Sequence, residues 1–230
     1  LIYVTPDAER TMCTFLGAST QLEPDDLDLS MVSNTKVLYL EGYLWDSPAA
    51  KRAFIAAAEA CRAANGQVAL SLSDGFCVDR HRDSFLDLVN GHVDVLFANE
   101  VEIKSLYQTD DFDAALESVR GSCSVIAITR GSQGSVVLSG DQRWDIGIVG
   151  LGDLIDTTGA GDLYAGGFLH GYTQGESLER CGKPFLQAGT RFCLTCGAPP
   201  QLVPDGWRNF LPQPQRRSRR TDYLLTTCYS

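Results

Sequence analysis

The sequence predicts an α/β fold with a mainly parallel central sheet flanked by helices, and three observations carry that prediction. Short apolar runs at residues 37–40, 68–72, 93–98 and 124–128 have strand length and alternate with longer stretches of helical spacing. That alternation builds strand–helix–strand units whose helices cover a parallel sheet. The helix boundaries are punctuated: Ser47-Pro48 opens one and Asn65-Gly66 closes it. Finally, a glycine-bearing turn, Asp156-Thr157-Thr158-Gly159-Ala160-Gly161-Asp162, leads into a helix rich in small residues.

Composition bounds the function. A length of 230 residues allows one or two domains and a sizeable core. The hydrophobic share of 44% and charged share of 21% are those of an ordinary globular protein. No run is long enough to span a bilayer and no signal peptide is read, so no membrane partner is expected. A net charge of −10 argues against nucleic acid as a partner. The eight cysteines are scattered rather than framed as disulfide pairs, which favours a reducing, cytoplasmic location.

In chain order, residues 1–5 read as a strand, 5–11 as a hairpin turn and 12–16 as the returning strand. Residues 37–40 form an apolar strand, and a helix follows through residue 64. The strand at 68–72 delivers Ser73 and Asp74 to its C-terminal end, where open α/β sheets place ligands. The run Asp79-Arg80-His81-Arg82 has two readings, a solvated helix start or a role near a substrate. Residues 84–89 read as a short helix, and 93–98 as a buried strand ending at Asn99 and Glu102. Residues 111–120 read as a helix, 124–128 as a strand, and 135–138 with 144–149 as two further strands.

The turn at 156–162 has a chemical reading. Such a turn points free backbone N–H groups at one spot, and the helix dipole adds partial positive charge there, which makes an anion site. Asp162 would repel a bound anion, but it makes sense if a hydroxyl must lose a proton while a phosphoryl group arrives. The bland alternative is a helix cap with Asp162 as a first-turn acid.

This run resembles the signature of the ribokinase family, the PfkB-type carbohydrate and nucleoside kinases. The resemblance implies a ribokinase-like three-layer fold and an ATP-dependent phosphotransferase acting on a hydroxyl of a sugar or nucleoside. It makes Asp162 the general base and the amides of Gly159, Ala160 and Gly161 the anion hole. Asn99 and Glu102 match the family's Asn-x-x-Glu motif, which organises Mg²⁺ and the ATP phosphates, partly through water. An Asn cap before an acidic first turn would look the same. Thr129, Gly131 and Gly134 match a turn that lies against ATP; an ordinary hairpin turn is compatible with it. Asp74 is the one residue kept from a substrate motif. Asp156 and Thr158 match positions that bind a monovalent cation such as K⁺ in some members. The Gly150-Leu151-Gly152-Asp153 run is read as a decoy, because no apolar helix follows it.

The resemblance covers about residues 1–183, and its early substrate motif and most of its small β lid have no counterpart. An N-terminal truncation is therefore expected in preference to a natural short variant. Residues 184–230 change character: six of the nine prolines fall there, with six Lys+Arg against two Asp+Glu. This reads as an atypical basic, proline-rich tail, consistent with a reading-frame change near residue 183. Its Cys193 and Cys196 lack a second pair for zinc, and the arginines at 216–220 read as a basic tail. Details at 5–11 and 73–82 are similar to bacterial adenosine kinase-like members; ribose and other sugars stay open. A homodimer of the full-length form is kept as an option. Two other classes stay open: a catalytically inactive nucleotide-binding fragment, and a non-enzymatic α/β interaction module.

Overall fold

The computed structural model describes residues 1–6, 10–148, 157–183 and the backbone of 223–225. Strands β1 (Ile2–Val4) and β2 (Arg10–Met12) form an antiparallel hairpin, separate from the main sheet. The returning strand expected over 12–16 ends at Met12. Strand β1 is exposed along its length and Phe15 is 95% exposed, so no apolar surface holds a longer ladder. A short helix, α1 (Leu29–Val32), follows, capped by Asp28, whose Oδ1 accepts from the amides of Ser30 and Met31 at 3.0 Å each.

The core then alternates. It runs β3 (Val37–Glu41), α2 (Pro48–Ala63), β4 (Gln67–Ser71), α3 (Gly75–His92), β5 (Val95–Asn99), α4 (Glu100–Tyr107), α5 (Phe112–Val119) and β6 (Val125–Thr129). Strands β7 (Ser135–Ser139) and β8 (Gln142–Ile146) complete a hairpin, and α6 (Ala160–Thr173) follows. The main sheet has the order β8-β7-β6-β5-β4-β3-β9, where β9 is Tyr223–Leu225. Strands β3 to β6 pair in parallel, and β7 and β8 antiparallel.

Burial explains the layers. One face of the sheet packs Leu38, Leu70 and Leu96 against Phe54 of α2, Phe85 of α3 and Leu116 of α5. The other packs Tyr39, Phe97 and Val137 against Tyr164, Ala165 and Phe168 of α6. This is the predicted three-layer α/β arrangement.

Helix α2 starts where the sequence placed it, with Ser47 Oγ accepting from the Ala50 amide at 3.4 Å and Pro48 in the first turn. Asn65 then takes a left-handed φ of 60° that ends the helix. The strands expected at 68–72 and 144–149 are Gln67–Ser71 and Gln142–Ile146.

Two elements differ more. The short helix expected at 84–89 is part of the 18-residue α3, which kinks at His81 (φ −128°, ψ 26°). The charge run there hides its helical period. The tail, expected to be irregular, contributes β9, which pairs in parallel with Val37, Leu38 and Tyr39 of β3. Strand β3 is buried along its whole length, and a buried edge needs a partner for its backbone groups. Residues 150–153, Asp156, Cys193, Cys196 and 216–220 lie outside the described residues. Among those described, no helix is long and apolar enough to cross a membrane. Cys13, Cys61, Cys77, Cys123 and Cys181 are free thiols.

Candidate active site

Parallel strands deliver their C-terminal ends to one edge of the sheet. Glu41 closes β3, Ser73 and Asp74 follow β4, Asn99 closes β5 and Thr129 closes β6. Helix α6 runs back across the sheet. Its far end is fixed at the opposite edge, where Gln67 Nε2 meets the Tyr172 hydroxyl at 3.0 Å. Its start therefore lies over the C-terminal strand ends, and the charge of Asp162 is felt by Tyr39 and Glu41 of β3.

The turn before α6 has the geometry that an anion site needs. Gly159 caps the helix with φ 76° and ψ 4°, a left-handed conformation that glycine adopts without Cβ strain. The Ala160 amide donates to the Thr157 carbonyl at 3.1 Å and closes the turn. Among the described residues, the amides of Gly159 and Gly161 have no acceptor. Asp162 is exposed in the first helical turn. Thr158 stands in the same turn, while Asp156, its expected companion at a monovalent-cation site, lies outside the described residues.

Asn99 and Glu102 form a closed reciprocal cap on α4. The Asn99 amide donates to Glu102 Oε2 at 2.8 Å, its Nδ2 to Oε1 at 2.7 Å, and the Glu102 amide returns to Asn99 Oδ1 at 2.8 Å. The cap reading is thus realised in full. Glu102 is nevertheless unusual. It is buried, and burial first, then the charges of Asp74 and Glu41, push its carboxyl up to about 7. Both its oxygens point at Asn99, so the pair fits Mg²⁺ through bridging waters rather than by direct ligation, in keeping with an ion that keeps much of its hydration. Among the described residues, no group of three or more acidic, His or Cys side chains forms a metal cluster.

The turn after β6 is built partly for packing. Gly131 has φ 53° and open space around it, whereas a Cβ at Gly134 (φ 89°) would sit 2.0 Å from the Ile146 carbonyl oxygen of β8. Gly134 therefore answers to the hairpin, whatever else it borders. Arg130 ties this turn to α4: its Nε donates to Glu100 Oε2 at 2.8 Å and its guanidinium lies 3.9 Å over the Phe112 ring.

Asp74 is the N-cap of α3, with its two oxygens accepting from Phe76 and Cys77 amides at 3.2 Å each. The run at 79–82 ties α3 to its neighbours. Arg80 and His81 hold Asp46 at 2.8 and 2.7 Å, and Asp79 accepts from Arg82 and Ser105 at 2.7 and 2.6 Å. Of the two readings of that run, the packing one is realised.

Sequence reasoning missed Glu41 and Ser73. Glu41 is 5% exposed, and desolvation raises its carboxyl above the usual range, against hydrogen bonds from Ser73 and Tyr39 that lower it. The available signal was a carboxylate ending an otherwise apolar strand.

A sequence model of the pfkB family carbohydrate kinases matches residues 1–184. The adenosine kinase of Saccharomyces cerevisiae is 29% identical over 185 residues, covering 74% of this chain and 53% of that protein. Among solved structures, a probable sugar kinase from Rhizobium etli superposes with a TM-score of 0.81 at 47% identity, covering 84% of this chain and 59% of that one. The adenosine kinase from Sinorhizobium meliloti gives 0.79 at 49% identity, covering 82% and 58%. The chain thus spans little more than half the length of these three proteins. The turn at 156–162, the Asn99–Glu102 pair and the parallel core are in the order of one lineage, and the chain belongs to the pfkB family of carbohydrate kinases.

Proposed function

We propose that the protein transfers the γ-phosphoryl group of ATP to a hydroxyl of a sugar or nucleoside, with Asp162 as general base. The observation that carries this reading is the placement of Asp162 at the start of α6, over the C-terminal ends of β3 to β6. There the carboxylate can take a hydroxyl proton while nearby amides meet the incoming phosphoryl oxygens.

The Gly159, Ala160 and Gly161 amides form the anion hole; Ala160 shares its N–H with the Thr157 carbonyl. Asn99 and Glu102 hold the water shell of Mg²⁺, which when bound would neutralise phosphate charge. Thr129, Gly131 and Gly134 border the nucleotide. Asp74 acts from the N-terminus of α3, chiefly by setting the helix start. The similarity to adenosine kinases and a sugar kinase supports a nucleoside or sugar acceptor.

The test compares the purified protein with its Asp162→Asn variant, using Mg²⁺, ATP and a panel of adenosine, ribose and fructose. Acceptor-dependent ADP release should fall by roughly 10²–10⁴-fold in the variant, while the thermal shift induced by ATP is retained. Near-normal release in the variant would overturn the base assignment. A thermal shift without any acceptor-dependent release would favour the nucleotide-binding fragment. Absence of both would favour the interaction module.

A further inference from the structure

The corner between β4 and α3 holds a strained residue whose strain is not needed for chain reversal. The Asp74 amide donates back to the Leu72 carbonyl at 2.8 Å, so Ser73 is the middle of a three-residue turn, with φ 65°. That turn is rare and unfavourable for any residue with a Cβ. Glycine would adopt it without that cost. What serine adds is its hydroxyl. Ser73 Oγ donates to Glu41 Oε2 at 2.6 Å and lies 3.1 Å from the Ser71 carbonyl, and it accepts from the Gly42 amide at 2.9 Å. The two strand ends are pressed together at this point, because a Cβ on Gly42 would sit 2.4 Å from the Leu72 carbonyl oxygen.

Glu41 is thereby locked. It lies two residues beyond Tyr39 on the strand, so both side chains leave the same face. That is the face α6 covers: Tyr39 and Tyr164 both meet Phe97, with ring centroids 6.2 and 6.4 Å away. The Tyr39 hydroxyl hydrogen-bonds the same carboxylate.

We propose that Ser73 is a positioning residue: from its left-handed backbone it fixes the Glu41 carboxylate towards the start of α6, and the charge of Glu41 there sets how readily Asp162 holds a proton. The proposal rests on the reading of Asp162 as the base. Electrostatic influence is reciprocal, and the charge of Asp162 disfavours ionisation of Glu41, so ionised Glu41 strengthens the proton affinity of Asp162. The groups facing Glu41 are Tyr39 on its own strand, Ser73 from the β4 corner and Asp162 from α6, with Glu102 on the α4 side.

The test is a carboxyl-carbon NMR titration of the folded protein, which needs no turnover. In Glu41→Gln, Asp162 should titrate at lower pH than in the wild type. In Ser73→Gly, which removes the hydroxyl but suits the backbone, Glu41 should titrate at higher pH, because the bond to its ionised form is gone. An unmoved Glu41 midpoint in Ser73→Gly, or an unmoved Asp162 midpoint in Glu41→Gln, overturns the proposal. Should Glu41→Gln fail to fold, the Ser73→Gly titration decides alone. Turnover of Asp162→Asn reports separately on the base assignment: if that variant keeps its rate while both midpoints move, the electrostatic link stands and the catalytic reading falls.

Discussion

Arg130 reaches from the turn after β6 to Glu100 on the first turn of α4, closing a 2.8 Å ion pair between two segments of the candidate site. Lys104 holds the other oxygen of Glu100 at 2.7 Å, and together they keep Glu100 below the usual carboxylate range. The acid is thus neutralised locally, and it sits two residues before Glu102, which is not. Two carboxylates on one helical turn are tuned in opposite directions, one by cations and one by burial.

The contrast predicts a pH dependence. The carboxyl of Glu102 is raised in the folded state, so its contribution to stability is fully present below the unfolded value near 4.5. It is lost as pH rises through about 7. The loss should be on the order of 2–3 kcal/mol. Glu102→Gln should flatten that part of the profile, read as Tm between pH 5 and pH 7.5. Added Mg²⁺ should raise the wild-type Tm more at pH 7.5 than at pH 5, and a Tm that ignores Mg²⁺ at both would count against the cation role.

The two glycines after β6 separate packing from nucleotide contact. Gly131→Ala should cost about 1–3 kcal/mol for its left-handed backbone alone. Gly134→Ala should cost more, because its Cβ would also overlap the Ile146 carbonyl at 2.0 Å. Urea denaturation of both variants measures the difference. Equal midpoints would mean that the β8 hairpin yields easily.

Much of this was legible in the chain. The apolar runs of β3 to β6 and the Ser47-Pro48 start of α2 combine local propensity with burial on both faces, and both signals point the same way. The Asn99 cap was legible too, because its bonds are local. The kink at His81 was not, since it depends on Asp46 thirty-five residues away and interrupts the helical spacing of α3. Nor was Ser73: a serine reads as an ordinary turn residue, and its positive φ follows from the Gly42 approach and the Glu41 bond, both made across the sheet. Strand β9 escaped because three residues in a proline-rich tail carry no periodicity; the open edge of β3 supplies the reason for pairing.

The last prediction separates the scaffold of α6 from its chemistry. Phe168 is fully buried between Phe97, Tyr164 and Tyr172, with centroids 5.4, 6.1 and 6.4 Å away. Phe168→Ala leaves a cavity at the middle of the helix and should cost about 3–5 kcal/mol. Asp162 is exposed in the first turn, where a negative charge near the helix N-terminus contributes only about 0.3–1 kcal/mol. Asp162→Asn should therefore leave the urea midpoint nearly in place while removing turnover. Phe168→Ala should do the reverse: a large drop in midpoint, with acceptor-dependent ADP release per folded molecule falling far less than in Asp162→Asn. If Asp162→Asn instead unfolds the protein, the carboxylate is a structural cap, and the first-turn acid reading of the 156–162 run replaces the catalytic one.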